Sequence, residues 1–190
     1  GPLTGVNPCG EVSLYDKEAC NLGSINLEHF VDVFKTRDNT EMFKNIIRTA
    51  VRFLDDTIDL NVFPVDGIRE AVQRTRKIGL GVTGLHTWLL LNGLRYDSQE
   101  GRDEAKKLLK LITDTGREYS GLLALEKGAP TLKPNGPFDL FVRNTVITCI
   151  APTGTISMIL DTSSSGIEPV FGYTYERRIG EETYHVEVPV

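Results

Sequence analysis

Thr145-Val146-Ile147-Thr148-Cys149-Ile150-Ala151 constrains the fold more than any other stretch of this chain. Most of its side chains are β-branched and Pro152 stops the run, so it reads as a strand buried in a sheet. A second short apolar run, Lys77-Ile78-Gly79-Leu80-Gly81-Val82-Thr83-Gly84, reads as another buried strand entering a tight turn. Long helical patterns stand between such runs. Strands separated by helices pair in parallel, so the expected class is α/β.

Over 40–60 the periodicity is helical, with Phe43, Ile46, Ile47, Ala50 and Leu54 on one face. Ile68, Ala71 and Val72 mark a shorter helix, and 85–91 a third, closed by Asn92-Gly93. Asp97 and Glu100 have capping-box spacing ahead of a long helix whose inward stripe is Ala105, Leu108, Leu109, Ile112, Tyr119 and Leu123. Gly128-Ala129-Pro130 closes it, and the chain to Pro137 reads as loop. The first residues read as loop running into a short strand at 24–27, and a last strand is expected around 170–175. No repeat or linker interrupts the sequence. Residues 1–190 are therefore taken as one helix-rich segment, with so few strands that its sheet needs others from elsewhere.

The net charge of −5, with charged residues at 25%, argues against a nucleic-acid partner or an acidic membrane surface. No apolar run approaches the roughly 20 residues that span a bilayer. No basic stretch leading into an apolar run marks a secretory signal. Three cysteines, Cys9, Cys20 and Cys149, are too few and too odd in number for a disulfide scaffold, which favours a cytoplasmic protein. Zinc is not expected, because Cys-x-x-Cys is absent and the histidines are scattered.

Three places carry chemistry. The turn after the first strand, Thr153-Gly154-Thr155-Ile156-Ser157, places hydroxyls and a glycine at a strand-to-helix junction. It reads either as a phosphate-binding helix start or as a simple helix cap. It is not a P-loop, since the Gly-Lys-Ser/Thr ending is missing. Gly79, Gly81 and Gly84 match Gly-x-Gly-x-x-Gly, but no acidic residue closes a second strand at the required distance; the glycines are assigned to close strand–helix packing. Asn7-Pro8-Cys9-Gly10-Glu11 places a carboxamide, a thiol and a carboxylate on one rigid turn. A carboxylate so near raises a thiol's pKa, which disfavours a thiolate nucleophile and suits hydrogen-atom or proton transfer. Burial of Cys9, or a structural bridge to Cys20, stays open on the residues alone.

Asn7-Pro8-Cys9-Gly10-Glu11, Cys20-Asn21-Leu22-Gly23-Ser24-Ile25-Asn26-Leu27, Ala151-Pro152-Thr153-Gly154-Thr155-Ile156-Ser157 and Gly166-Ile167-Glu168-Pro169 together resemble the catalytic subunit of ribonucleotide reductase. The Cys9–Cys20 spacing and the Pro-Thr-Gly-Thr-Ile-Ser loop look most like its adenosylcobalamin-dependent class. The resemblance implies part of a ten-stranded α/β barrel with a finger loop bearing a radical cysteine. It makes Cys9 the thiyl residue that abstracts the 3′ hydrogen of a ribonucleotide and Glu11 the acceptor of the 3′-hydroxyl proton. Asn7 becomes a hydrogen-bond partner of the substrate hydroxyls and Cys20 one of two reducing thiols. Thr153, Gly154, Thr155 and Ser157 would hold the substrate phosphates. Adenosylcobalamin is the implied cofactor, and a thioredoxin-like reductant the implied partner of the parent enzyme. Cys149 matches no family role and is read as core.

In the family a second reducing thiol lies upstream of the finger loop and a cysteine pair lies at the C-terminus. Neither occurs here, so the chain reads as a segment that needs the rest of the barrel. The competing expectation is a non-catalytic module that binds nucleotide phosphates or assembles with a partner chain.

Overall fold

The computed structural model describes residues 3–130 and 141–188. The loop expected up to Pro137 lies partly outside them. Its architecture starts from two long helices. In α1 (Arg37–Leu60), the Thr36 hydroxyl accepts from Asn39 N at 3.1 Å and closes the N-terminus. Phe43, Ile47, Val51, Leu54 and Ile58 form its buried stripe, one side chain per turn. Ile46, expected inward, is 40% exposed, because the stripe turns toward Val51 and leaves it on the outer flank. A carboxylate, Asp55, shares the buried face.

After α2 (Ile68–Thr75), β4 (Ile78–Thr83) and α3 (Leu85–Leu91) comes the second long helix, α4 (Gln99–Lys127). Ser98 caps α4 by accepting from Gly101 N at 3.0 Å, in place of the expected Asp97–Glu100 box. Asp97 instead pairs with Arg95 at 2.9 Å. Leu108, Ile112 and Leu123 are buried as expected, and Ala105, Leu109 and Tyr119 pack partly buried against the same core. Gly116 lets α4 approach closely: a Cβ there would stand 3.0 Å from Ile147 and 3.7 Å from Val51 of α1. Gly128, in a positive-φ conformation, ends the helix.

The helices cover one face of a small parallel sheet. Strand β3 (Asn21–Asn26) pairs in parallel with β4, Asn21 opposite Ile78 and Asn26 opposite Thr83. Ile25, Ile78, Leu80 and Val82 join Ile147 in the core shared with α1 and α4. Residues 145–149 run along the other side of β4: Val146 O accepts from Ile78 N at 3.0 Å, Ile147 O from Leu80 N at 2.8 Å, and Cys149 N donates to Leu80 O at 3.2 Å. This segment was expected to be a buried strand. Instead β4 advances two residues where its partner advances one, so the ladder slips and only the Leu80–Thr148 bridge is regular. The segment is an edge; Ile147 is buried, while Ile150 is 52% exposed.

The opposite face of the sheet, away from α1 and α4, carries Gly79 and Gly81. There a Cβ on Gly79 would meet Leu22 Cδ2 at 2.5 Å and Cys149 Sγ at 2.6 Å, and one on Gly81 would meet Cys149 O at 2.6 Å. These glycines therefore serve close strand–strand packing, not the expected strand–helix packing. Two hairpins flank the sheet. β1 (Gly5–Val6) and β2 (Ser13–Leu14) were read as loop, being too short for periodicity to show. The strand expected at 170–175 is a hairpin of β5 (Thr174–Ile179) and β6 (Glu182–Glu187), turning at Gly180. The remaining helices are a 3-10 turn at Leu27–His29 and α5 (Gly154–Ile159). Among the described residues no barrel is closed.

Asp55 joins the parts. Its side chain is fully buried; Oδ1 accepts from Arg76 Nε and from Asn144 Nδ2, both at 2.9 Å, and Oδ2 from Arg143 Nε at 2.7 Å. Arg76 caps α2 at φ 47° and leads into β4, whereas Arg143 reaches back to Lys127 O and Gly128 O at the end of α4. Asn144 closes the circuit through Ser120 at 2.8 Å and Arg76 O at 3.0 Å. Burial alone would raise the Asp55 carboxyl, but hydrogen bonds from Arg76 and Arg143 outweigh it and hold the group below its ordinary value.

Asp55→Ala removes the fully buried acceptor of Arg76 and Arg143, leaving them Asp59 and backbone carbonyls, and is expected to cost about 3 kcal/mol in urea unfolding. The Asp55 contribution is present above the unfolded carboxylate value of about 3.9 and is lost as pH falls through the lower folded value, so acid titration of stability should flatten in the variant. Gly81→Ala drives a methyl into the Cys149 backbone and is expected to cost about 1–3 kcal/mol by the same measurement. Gly79→Ala meets only side-chain ends, which can rotate, and should cost less.

Candidate functional site

The hairpin of β1 and β2 is a scaffold for its turn. Asn7 N donates to Val12 O at 3.1 Å, Val12 N to Asn7 Oδ1 at 2.9 Å and Gly10 N to Asn7 O at 2.9 Å, with Gly10 at φ 83°. The Asn7 carboxamide thus spends its oxygen on the turn and has its Nδ2 donor for another partner. Cys9 is exposed at the tip. Glu11 is half-buried, and its Oε2 is buried with no hydrogen-bond partner among the described residues. A carboxylate oxygen in that state is an acceptor open to a further donor.

The base of the hairpin is clamped to the sheet. Lys77 Nζ donates to Glu18 Oε2 at 2.6 Å and to Ser13 O at 2.8 Å, and lies 4.5 Å from the centre of the Tyr15 ring. Glu18 also accepts from Tyr15 N at 2.6 Å and from the Thr75 hydroxyl. Both charged side chains are almost fully buried, at 4% and 0% exposed.

Cys20 directly precedes β3 and Lys77 directly precedes β4, so the parallel register sets them side by side on the face turned away from α1 and α4. Burial pushes the Cys20 thiol up to about 12, with Cys149 and Glu11 adding to the rise and Lys77 opposing it. Burial, then Glu11, pushes Cys149 up to about 11. The structure therefore gathers Glu11, Cys20 and Cys149 within electrostatic reach of one another. Cys149, read as core, is half-buried on this face instead, its sulfur leaning over Gly79. β4 lies between the two cysteine-bearing segments, and two strand spacings of roughly 9–10 Å exceed what a disulfide spans without backbone movement. All three cysteines are free thiols.

At the other end of β4, Thr83 organises the second candidate loop. Thr153, at φ 57°, donates its hydroxyl to Thr83 Oγ1 at 3.1 Å and accepts from Gly166 N at 2.6 Å. Ser157 Oγ donates to Gly154 O at 2.9 Å and bonds Ser165 Oγ at 3.0 Å. Thr153 and Ser157 are thus buried and shape the loop, while Gly154 and Thr155 are exposed at the start of α5. Thr155 turns its hydroxyl outward there, at the end of a helix whose dipole favours an anion. A cavity of about 800 Å³ lies beside the second half of α5, but Glu28, Asp161 and Glu187 line it and would repel phosphate. Among the described residues no group of three or more His, Cys, Asp or Glu side chains could hold a metal, and no helix is long and apolar enough to cross a membrane.

Lys77, Glu18, Thr83 and Cys149 are the neighbours that the sequence did not single out. Only one signal was available: Lys77 immediately precedes the apolar run that begins at Ile78, where an unpaired ammonium would be too costly to bury.

The family profile described as "Ribonucleotide reductase, barrel domain" matches residues 1–134 and 141–189. The chain is 40% identical over 191 residues to a vitamin B12-dependent ribonucleoside-diphosphate reductase of Thermoplasma acidophilum, covering 98% of this chain and 25% of that protein. It is 41% identical over 185 residues to the protein of the same name from Mycobacterium tuberculosis, covering 94% and 26%. A vitamin B12-dependent ribonucleotide reductase of Agrobacterium fabrum is 27% identical over 240 residues, covering 97% and 19%. The chain spans about a quarter of the length of the first two relatives.

Iodoacetamide at mildly alkaline pH should modify exposed Cys9 first. Cys149 should follow, and Cys20, whose thiol burial pushes higher, should react last. Peptide-resolved mass spectrometry of a time course reads this order, and early loss of Cys20 would contradict the placement.

Proposed function

Because the chain belongs to the ribonucleotide reductase barrel-domain family, we propose that it is the part of a vitamin B12-dependent ribonucleoside-diphosphate reductase that carries the radical thiol, one reducing thiol and the phosphate loop. The observation that carries the reading is the hairpin tip: Asn7, Cys9 and Glu11 share one turn, and the buried Glu11 Oε2 lacks a partner. The segment contributes to a ten-stranded barrel completed by the rest of the polypeptide, and works in a reducing cytoplasm.

Cys9, as a thiyl radical, takes the 3′ hydrogen atom of the ribose and returns it once the 2′ carbon is reduced, which restores the thiyl radical. Glu11 Oε2 accepts the 3′-hydroxyl proton, as its orphan state supports. Asn7 Nδ2 donates to the substrate hydroxyls. Cys20 and a second thiol elsewhere in the polypeptide give up two hydrogens and become a disulfide; the 2′-hydroxyl leaves as water and its carbon gains hydrogen. A thioredoxin-like dithiol protein then re-reduces the pair. Gly154 and Thr155, with the first amides of α5, hold the phosphates in a turn shaped by Thr153 and Ser157.

Adenosylcobalamin fits the tip from outside: Cys9 is exposed, and a side chain built on neighbouring Gly10 would meet no atom within 4 Å. When bound, it supplies the homolytic chemistry that withdraws the Cys9 hydrogen atom.

The test is ribonucleoside-diphosphate reduction by the full-length polypeptide with adenosylcobalamin and a dithiol. Cys9→Ser is expected to abolish turnover, and Glu11→Gln to lower kcat by about 10²-fold or more. Retained reduction in Cys9→Ser, or activity indifferent to cobalamin, would overturn the reading.

A further inference from the structure

The mechanism leaves one buried ion pair at the site without a task. Glu18 and Lys77 are the partners, and such a pair contributes little net stability compared with apolar side chains of the same volume. Its placement is more telling than its strength. Lys77 stands where the register of β3 and β4 sets it beside Cys20, and its ammonium reaches the hairpin at Ser13 O, Tyr15 and Glu18.

We propose that Lys77 is the positioning residue of the thiol site: it fixes the Cys9 hairpin over the head of β3 and stabilises the thiolate form of Cys20. The proposal rests on the reductase reading for its consequence in turnover, but not for its geometry. Two constraints meet in this one side chain. Its three partners at Ser13, Tyr15 and Glu18 flank the returning limb of the hairpin, so displacing Nζ displaces the tip that bears Asn7, Cys9 and Glu11. The titratable groups facing Cys20 are Cys149, Lys77, Glu11 and Glu18, and Lys77 alone among them is cationic. Against three groups that oppose a second negative charge, it is the one that favours Cys20 losing its proton.

The test uses the full-length polypeptide as wild type, Lys77→Arg, Lys77→Met and the double variant Lys77→Met/Glu18→Leu, which strands no buried charge and so keeps the fold available. Iodoacetamide labelling of Cys20, resolved by peptide mass spectrometry over a pH series, needs no turnover. At fixed pH the labelling rate should fall about tenfold in Lys77→Met, the equivalent of one pKa unit, stay low in the double variant and recover in Lys77→Arg. In turnover, kcat should fall with KM little changed, because the phosphate loop hangs from the other end of β4. Cys20 labelling that is unchanged or faster in both Met variants overturns the proposal. A wild-type polypeptide that labels as expected yet reduces no ribonucleotide would remove the reductase reading and leave the role of Lys77 standing.

Discussion

A buried carboxylate between two guanidinium groups, backed by the half-exposed Asp59 one turn along α1, holds this architecture together. Asp55 is enclosed by Arg76, Arg143 and Asn144, and through them it joins α1 to the entry of β4, to the end of α4 and to the segment alongside β4. Buried ion pairs add little over apolar packing of equal volume, so the value of this one lies in selectivity. A sheet with a slipped ladder and open edges has few backbone hydrogen bonds to define its register. Directional guanidinium bonds define it instead: each arginine donates its Nε to a different Asp55 oxygen, and Arg76 grips Asp59 with its other two nitrogens. Arg76 is held at a positive φ, an arrangement that persists because four hydrogen bonds over-determine its side chain.

From that fixed origin, the parts of the candidate site occupy the face of the sheet turned away from α1 and α4. On β4 this face carries Lys77, Gly79, Gly81 and Thr83. The outer two bind loops and the inner two have no side chain, which lets Cys149 and Leu22 close over the strand. The arrangement divides labour. The hairpin is held by charge in a dry setting, where a displaced ammonium would be expensive, while the loop before α5 is held by a relay of hydroxyls on Thr83, Thr153 and Thr162, with the Ser164 carbonyl as a further acceptor.

How much of this was legible in the sequence depends on whether local pattern or distant partner decides. The stripes of α1 and α4 and the stops at Asn92-Gly93 and Gly128 are local, and they stand within a residue or two of expectation. The parallel pairing of β3 and β4 also followed from the helices between them. Asp55 could not be read as buried, since its partners lie 21 and 88 residues away. The run at 145–151 has a composition fit for a central strand yet lies at an edge, because composition reports what a segment can bury and not what reaches it. Cys149 was misread for the same reason: apolar neighbours in sequence placed it in the core, whereas alternation turned it to the other face. For the candidate site, the motifs singled out Asn7, Cys9, Glu11 and Cys20 as expectations, and did not reveal that Thr153 and Ser157 turn their hydroxyls inward.

β4 also acts as a gauge block. Six residue steps separate the Lys77 clamp from the Thr83 relay, a span of about 20 Å at roughly 3.3 Å per residue. Both loops are referenced to the same rigid rod, so their spacing does not depend on the stiffness of either loop. Insertions into that rod would act in an odd–even manner. One added residue would turn Lys77 or Thr83 toward the helices and release a loop altogether, whereas two would keep both on the working face and set the loops about 7 Å further apart.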